Sequence, residues 1–249
     1  MKPGLAVDLF VLVAVSFITI YFIAKSHDKK YYLRNIAGLE AIEEAVGRAT
    51  EMDKIVHFIP GITGLNNSRS AVTFSGLEVL NYVSRTVANY GAKLLVTIRN
   101  VMVLPVAQEV VRNAYSSIGK INSFDYNSVQ FLTDNQFAYA TAVRSILQEG
   151  QVAANIMVGS FFAESLMITE AGHHAGAIQI AGTTSVTQLP FFITTCDYVL
   201  IGEEVYAAGA ILADDPHKIG SIVGQDFSKL LVIAILIVGA IISASGIIN

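Results

Sequence analysis

Apolar positions along the chain follow two different rhythms. Near each end lies one long, nearly unbroken apolar stretch, and between them short apolar runs alternate with longer stretches of helical period. The short runs rich in β-branched residues predict strands at Ile55–Ile59, Lys93–Ile98, Val129–Thr133, Asn155–Gly159, Ala177–Ala181 and Tyr198–Ile201. Helices are expected near 37–52, 75–90, 105–117, 135–149, 161–172, 185–195 and 203–213. Strands that alternate with helices imply βαβ units and a parallel sheet. Strands apolar on both sides imply a sheet covered on both faces. The fold class expected is therefore α/β: a Rossmann-like, mostly parallel sheet with helices on both faces, flanked by one transmembrane helix at each end.

Local signals sharpen several boundaries. Thr73 or Ser75 is a candidate cap for the helix through Val79, Leu80 and Val83, and Asp134 or Asn135 for the helix carrying Phe137 and Val143. Pro105 suits a first helical turn, and Gly91 a helix C-terminus. Gly119–Ser128 reads as a surface loop, and Asp214-Asp215-Pro216 opens a second.

The terminal stretches are Leu5–Ala24, broken only by Asp8, and Leu230–Ile248, which carries no charge. Each approaches the roughly 20 residues that a helix needs to cross a bilayer. The first exceeds the h-region of a signal peptide and no small-residue cleavage site follows it. In the second, Gly239, Ala240, Ser243, Ala244, Ser245 and Gly246 would permit close helix packing. The expected division is 1–30 for the first span and its basic flank, 31–225 for an α/β domain, and 226–249 for the second span. Lys25, Lys29, Lys30 and Arg34 follow the first span, whereas only Lys2 precedes it. The positive-inside rule then places the domain in the cytoplasm and both termini outside. The localisation expected is the inner (plasma) membrane of a prokaryotic cell, with the lipid bilayer as a partner.

Composition agrees with this picture and excludes other classes. Of 249 residues, 53% are hydrophobic and 14% charged, against roughly 25% charged in a soluble domain. The net charge of −4 gives no basic footprint for nucleic acid. A single cysteine, Cys196, rules out an intrachain disulfide and a cysteine-based zinc site.

In open parallel sheets, ligands bind beyond the carboxyl ends of the strands. Those ends here carry Pro60-Gly61-Ile62-Thr63-Gly64, Arg99-Asn100, Asp134-Asn135-Gln136, Gly159-Ser160, Gly182-Thr183-Thr184-Ser185 and Gly202-Glu203-Glu204. Ser160, Glu164, Thr183, Thr184, Glu203 and Glu204 are the ligand-binding candidates, as hydroxyls and carboxylates able to contact a polar small molecule. Turn and cap geometry alone calls for many such residues. Neither glycine-rich phosphate fingerprint occurs. Glu164 falls in a first helical turn, where the helix dipole favours a carboxylate. His173-His174 ends that helix and reads as a C-terminal cap rather than a metal site. No catalytic residue, metal or cofactor is assigned.

Several segments form a long and specific pattern: the stretch from Tyr31 to Ala49, His57-Phe-Ile-Pro-Gly-Ile, Ala154-Asn-Ile-Met-Val-Gly, Phe162-Ala-Glu-Ser, Gly176-Ala-Ile-Gln-Ile-Ala-Gly-Thr and Cys196-Asp-Tyr-Val-Leu-Ile-Gly-Glu-Glu. This pattern resembles an uncharacterised family of bacterial membrane proteins defined by a domain of unknown function. The resemblance covers most of residues 31–229. It implies a membrane-anchored α/β domain and carries no activity or cofactor.

Three functional readings remain. The first is a self-associating membrane scaffold or organising protein, a homo-oligomer able to engage other membrane proteins. Its basis is that Val186–Thr195 and Val205–Leu212 are apolar nearly all round, which predicts burial, partly between subunits. The second is a small-molecule-binding or enzymatic domain using the strand ends. The third is a subunit of an oligomeric channel or transporter, for which the spans lack intramembrane charges apart from Asp8.

Overall fold

A computed structural model describes residues 3–26, 31 and 36–244, with the side chains of 3–7 and of 242 and 243 set aside. The chain forms two compact units, Asn35–Ala213 and the pair Met1–Arg34 with Asp214–Asn249.

The larger unit is a six-stranded, all-parallel sheet. Its strands are β1 (Ile55–Ile59), β2 (Lys93–Ile98), β3 (Val129–Phe131), β4 (Val152–Val158), β5 (Ile178–Thr183) and β6 (Tyr198–Ile201), in the order β3-β2-β1-β4-β5-β6. The order reverses between β1 and β4, which makes that junction the topological switch point. The helices are α2 (Ala37–Glu51), α3 (Ser70–Tyr90), α4 (Leu104–Ser117), α5 (Gln136–Gln148), α6 (Glu164–His174), α7 (Leu189–Thr195) and α8 (Glu204–Ala213).

Two apolar cores lie on opposite faces of the sheet. One joins α2, α3, α4 and α8 to Val56, Phe58, Val96, Ile156 and Ile180. The other joins α5, α6 and α7 to Ile59, Met157 and Ala181. Alternation along each strand sends successive side chains to opposite faces. Glycine permits the closest approach on the first face: a Cβ on Gly76 of α3 would lie 2.3 Å from the carbonyl oxygen of Val158.

Most expected elements appear with small boundary changes. The helix expected near 75–90 begins at Ser70, so neither Thr73 nor Ser75 is its cap. Asn67 starts it earlier: its side chain accepts from Arg69 N at 2.8 Å and its carbonyl from Ser70 N at 3.1 Å. Thr73 lies inside the helix, 3.0 Å from the Thr63 hydroxyl. Asn135 caps α5, accepting from Phe137 N and Ala138 N. Pro105 is in the first turn of α4, and Gly91 ends α3 with a left-handed φ of 74°.

The smaller unit is an antiparallel helix pair, α1 (Pro3–Lys25) and α9 (Pro216–Ala244). The loop expected from Asp214 is therefore short, and Pro216 opens a continuous helix, as its fixed φ favours. Both helices are long and apolar enough, by length and composition, to cross a membrane. They meet at a G-x-x-x-G pair. A Cβ on Gly220 would lie 2.6 Å from Ser26 Cβ, and one on Gly224 would lie 3.0 Å from Thr19 Cα. Phe22 stacks on Phe227 with centroids 4.6 Å apart. The small residues expected to mediate packing lie further along: Gly239 meets nothing within 4 Å. Ser245 and Gly246 lie outside the described residues, as do Lys29, Lys30 and Arg34.

Candidate functional site

At the switch point the usual crevice is closed. Ile62 N donates to Ser160 O at 2.9 Å, so the loops after β1 and β4 stay joined beyond the strand ends. A Cβ on Gly159 would lie 2.5 Å from Pro60 O, and one on Gly61 would lie 2.6 Å from Ser160 N. Gly61 also has φ +82°, which L side chains rarely adopt. The two glycines let backbone fill space where a ligand sits in open α/β folds.

Beside this closure, on the α5–α6 side, lies a polar cluster. Glu164 is fully buried. Its Oε1 accepts from Phe162 N at 2.8 Å and its Oε2 from Gln136 Nε2 at 2.5 Å. These bonds place the carboxylate by the first turns of α5 and α6, whose dipoles favour negative charge. Arg99, at the end of β2, donates from Nη1 to Ile62 O at 3.0 Å. Its Nε is buried and without a hydrogen-bond partner. The Arg69 guanidinium lies 4.8 Å from the Phe162 ring centroid, covering the residue that binds Glu164.

Below the rim a chain of hydrogen bonds crosses four strands inside the apolar sheet. Tyr139, Thr97, His57, Asn155 and Gln179 are all buried. Gln179 Nε2 donates to the carbonyls of Thr169 and Thr195, at 2.8 and 2.7 Å, so its Oε1 must accept from Asn155 Nδ2 at 3.1 Å. Asn155 Oδ1 then accepts from His57 Nδ1 at 2.9 Å, which leaves Nε2 to accept from the Thr97 hydroxyl at 3.0 Å. The Tyr139 hydroxyl closes the series, 2.9 Å from Thr97 Oγ1 and 3.0 Å from Thr97 O. Every donor points the same way, and the imidazole is neutral. Burial drives its pKa down to about 4, against a smaller upward pull from Asn155. Burial also pushes the Tyr139 hydroxyl well above its ordinary value. The chain ends on two backbone carbonyls, so it delivers no proton to the rim. It holds β2, β1, β4 and β5 in register. Gly172 makes room for it: a Cβ there would lie 2.3 Å from Gln179 Oε1.

The six residues singled out from sequence stand at three successive strand ends. Ser160 and Thr183 are buried, and Thr184 is half-buried. Thr183 accepts weakly from Ser185 N at 3.3 Å, and Glu204 accepts from Ile201 N at 2.9 Å, so each serves its own loop. Glu203 is exposed. Arg99, Gln136 and Arg69 were not among them. Their signal was an arginine directly after a strand and another just before a helix. His173 and His174 are at the end of α6, where His174 lies 3.9 Å from exposed Glu170. Among the described residues no group of three or more His, Cys, Asp or Glu is placed to hold a metal. Cys196 ends α7, and burial raises its thiol pKa to about 12, so the reactive thiolate is scarce. A shallow cavity of about 370 Å³ lies at the opposite end of the sheet, lined by Glu44, Arg48, Asp197 and Tyr198 among others.

Neither the curated proteins nor the solved structures contain a match to this chain. One family does match it, over residues 4–248, so the match takes in both terminal helices and the whole α/β unit. The chain belongs to the family described as a domain of unknown function, DUF6754.

Proposed function

We propose that this protein is a membrane-anchored, self-associating scaffold in a bacterial cell, with α1 and α9 spanning the inner membrane and the α/β unit in the cytoplasm. The observation that carries the reading is the surface of α7. Of its residues only Phe192 is buried, while Phe191 and Ile193 are exposed and Val186, just before it, is 78% exposed. Leu166 on α6 and Ile201 at the end of edge strand β6 are exposed too, on elements that pack against α7. Large exposed apolar groups gathered in one region mark interaction surfaces. The expectation of all-round burial thus divides: α8 finds its cover in the core with α3, and α7 leaves its outer face for a second subunit.

The membrane assignment is supported by the two exposed apolar helices and by their antiparallel packing, in which the start of α1 and the end of α9 point the same way. The basic residues after α1 favour the cytoplasm for the segment between them. Closure of the switch-point crevice disfavours an enzyme built on the usual α/β plan.

The test is the mass of the full chain, extracted from membranes in mild detergent, by light scattering and particle imaging. A defined multi-subunit assembly is expected. A monomer would overturn self-association, and recovery of the chain in the soluble fraction would overturn the membrane assignment separately.

A further inference from the structure

The orphaned Nε of Arg99 goes beyond the scaffold reading. Buried polar groups in native proteins are nearly always bonded, and an exception calls for an explanation such as a missing water or ion. Among the described residues two side-chain atoms are in this position, Arg99 Nε and Arg85 Nε. Arg85 lies midway along α3. Arg99 follows directly on β2, at the carboxyl end of the sheet, where loops from β1, β2, β3 and β4 gather.

The guanidinium of Arg99 is already aimed. Nη1 is fixed on Ile62 O, and Nε, which forms the side-on edge of the fork together with Nη2, is left without a partner. That edge matches two oxygens of a carboxylate or phosphate, the strongest geometry an arginine offers. More donor capacity stands nearby. The Asn100 carbonyl oxygen caps Met102 N at 3.0 Å, while its amide nitrogen is turned to Gly64, where a Cβ would lie 2.8 Å from it. Glu164 is the opposing group. Its carboxylate is tied to Phe162 N and Gln136, and both it and Arg99 act electrostatically on the Tyr139 hydroxyl, in opposite senses, so it disfavours a second anion held by Arg99.

We infer that the strand-end rim binds a small oxyanion, a carboxylate or phosphate group, on the side-on edge of Arg99, with Glu164 limiting its affinity.

The full chain in detergent micelles is titrated with inorganic phosphate and, separately, with succinate, and thermal unfolding is followed. A saturable rise in Tm with either probe supports the site, and the stronger probe identifies the class. Arg99→Lys keeps the charge and loses the fork, so about a tenfold loss of affinity is expected. Glu164→Gln removes the opposing charge and is expected to tighten binding several-fold. The Arg99 Nε–H resonance, assigned in the unsubstituted protein, gives a readout that needs no variant to fold. A saturable shift of that signal on addition of the anion supports the proposal. An unmoved signal, no rise in Tm with either probe, or equal affinity in Arg99→Lys would overturn it and assign the orphaned Nε to a buried water.

Discussion

His57 shows how one buried residue ties the strands together and makes stability depend on pH. Its neighbours specify a neutral imidazole, with Nδ1 donating and Nε2 accepting. Burial lowers its pKa from 6.5 to about 4. As pH falls, the unfolded chain takes up this proton before the folded one. The contribution of His57 is therefore complete above pH 6.5 and is lost progressively as pH drops towards 4. The loss is about 3 kcal/mol by the usual conversion of pKa difference to free energy. Denaturant titrations between pH 7 and 4 will show this decline, and His57→Gln will flatten it. An unchanged slope in the variant would mean that other groups set the acid sensitivity. His57→Leu is a harsher change, because it strands Asn155 Oδ1 in the core, at about 1–3 kcal/mol, while the Thr97 hydroxyl keeps Tyr139 as a partner.

At the scale of elements, glycine decides how closely helices approach the sheet. Gly76 of α3 faces the Val158 carbonyl so closely that a methyl group has no room, and backbone cannot swing aside as a side chain can. Gly76→Ala is expected to destabilise the α/β unit by at least about 2 kcal/mol. Gly47 of α2 is the control, since a Cβ there meets only the Tyr90 ring, at 3.8 Å. Gly47→Ala is expected to stabilise by about 0.5–1 kcal/mol through helix propensity. Chemical denaturation of both variants checks the pair, and equal effects would refute the packing account. The elements themselves were legible because strand and helix periods differ sharply. All six strands and all seven domain helices lie where the periodicity placed them, with shifts at their ends. The start of α3 was missed because Asn67, rather than a hydroxyl residue further on, sets its first turn. The polar chain was also missed. His57, Thr97, Asn155 and Gln179 each interrupt a different strand, and only the register between strands brings them together. The same holds for the rim: Glu164 was legible as a first-turn carboxylate, whereas its partner Gln136 lies 28 residues away in sequence.

At the scale of the whole molecule, the proposed function assigns anchoring to one unit and association to the other. The α1–α9 pair keeps its polar and small residues inward at Ser26, Gly220, Gly224 and Ser228, and turns Phe17, Ile20, Leu230 and Ile233 outward, the arrangement expected where lipid is the solvent. The α/β unit, by contrast, fills its interior and still leaves the outer face of α7 apolar. Holding such a domain at a bilayer raises its local concentration, so a face too weak for assembly in solution can suffice at the membrane. Val186 and Ile193 separate association from folding. They are 78% and 56% exposed in the single chain, so Val186→Glu with Ile193→Glu is expected to leave its stability within about 0.5 kcal/mol of the parent. The same pair would bury two unpaired carboxylates in an α7-mediated contact and break it. Phe192→Ala is expected to do the reverse, costing about 3–5 kcal/mol of stability because Phe192 packs edge-on against Phe161 in the core. Light scattering of the double variant, set beside its melting curve, reads both quantities. Loss of assembly with an unchanged melt places the contact on α7. An intact assembly would move it elsewhere on the surface, and a collapsed melt would show that the outer face of α7 supports the fold of the single chain.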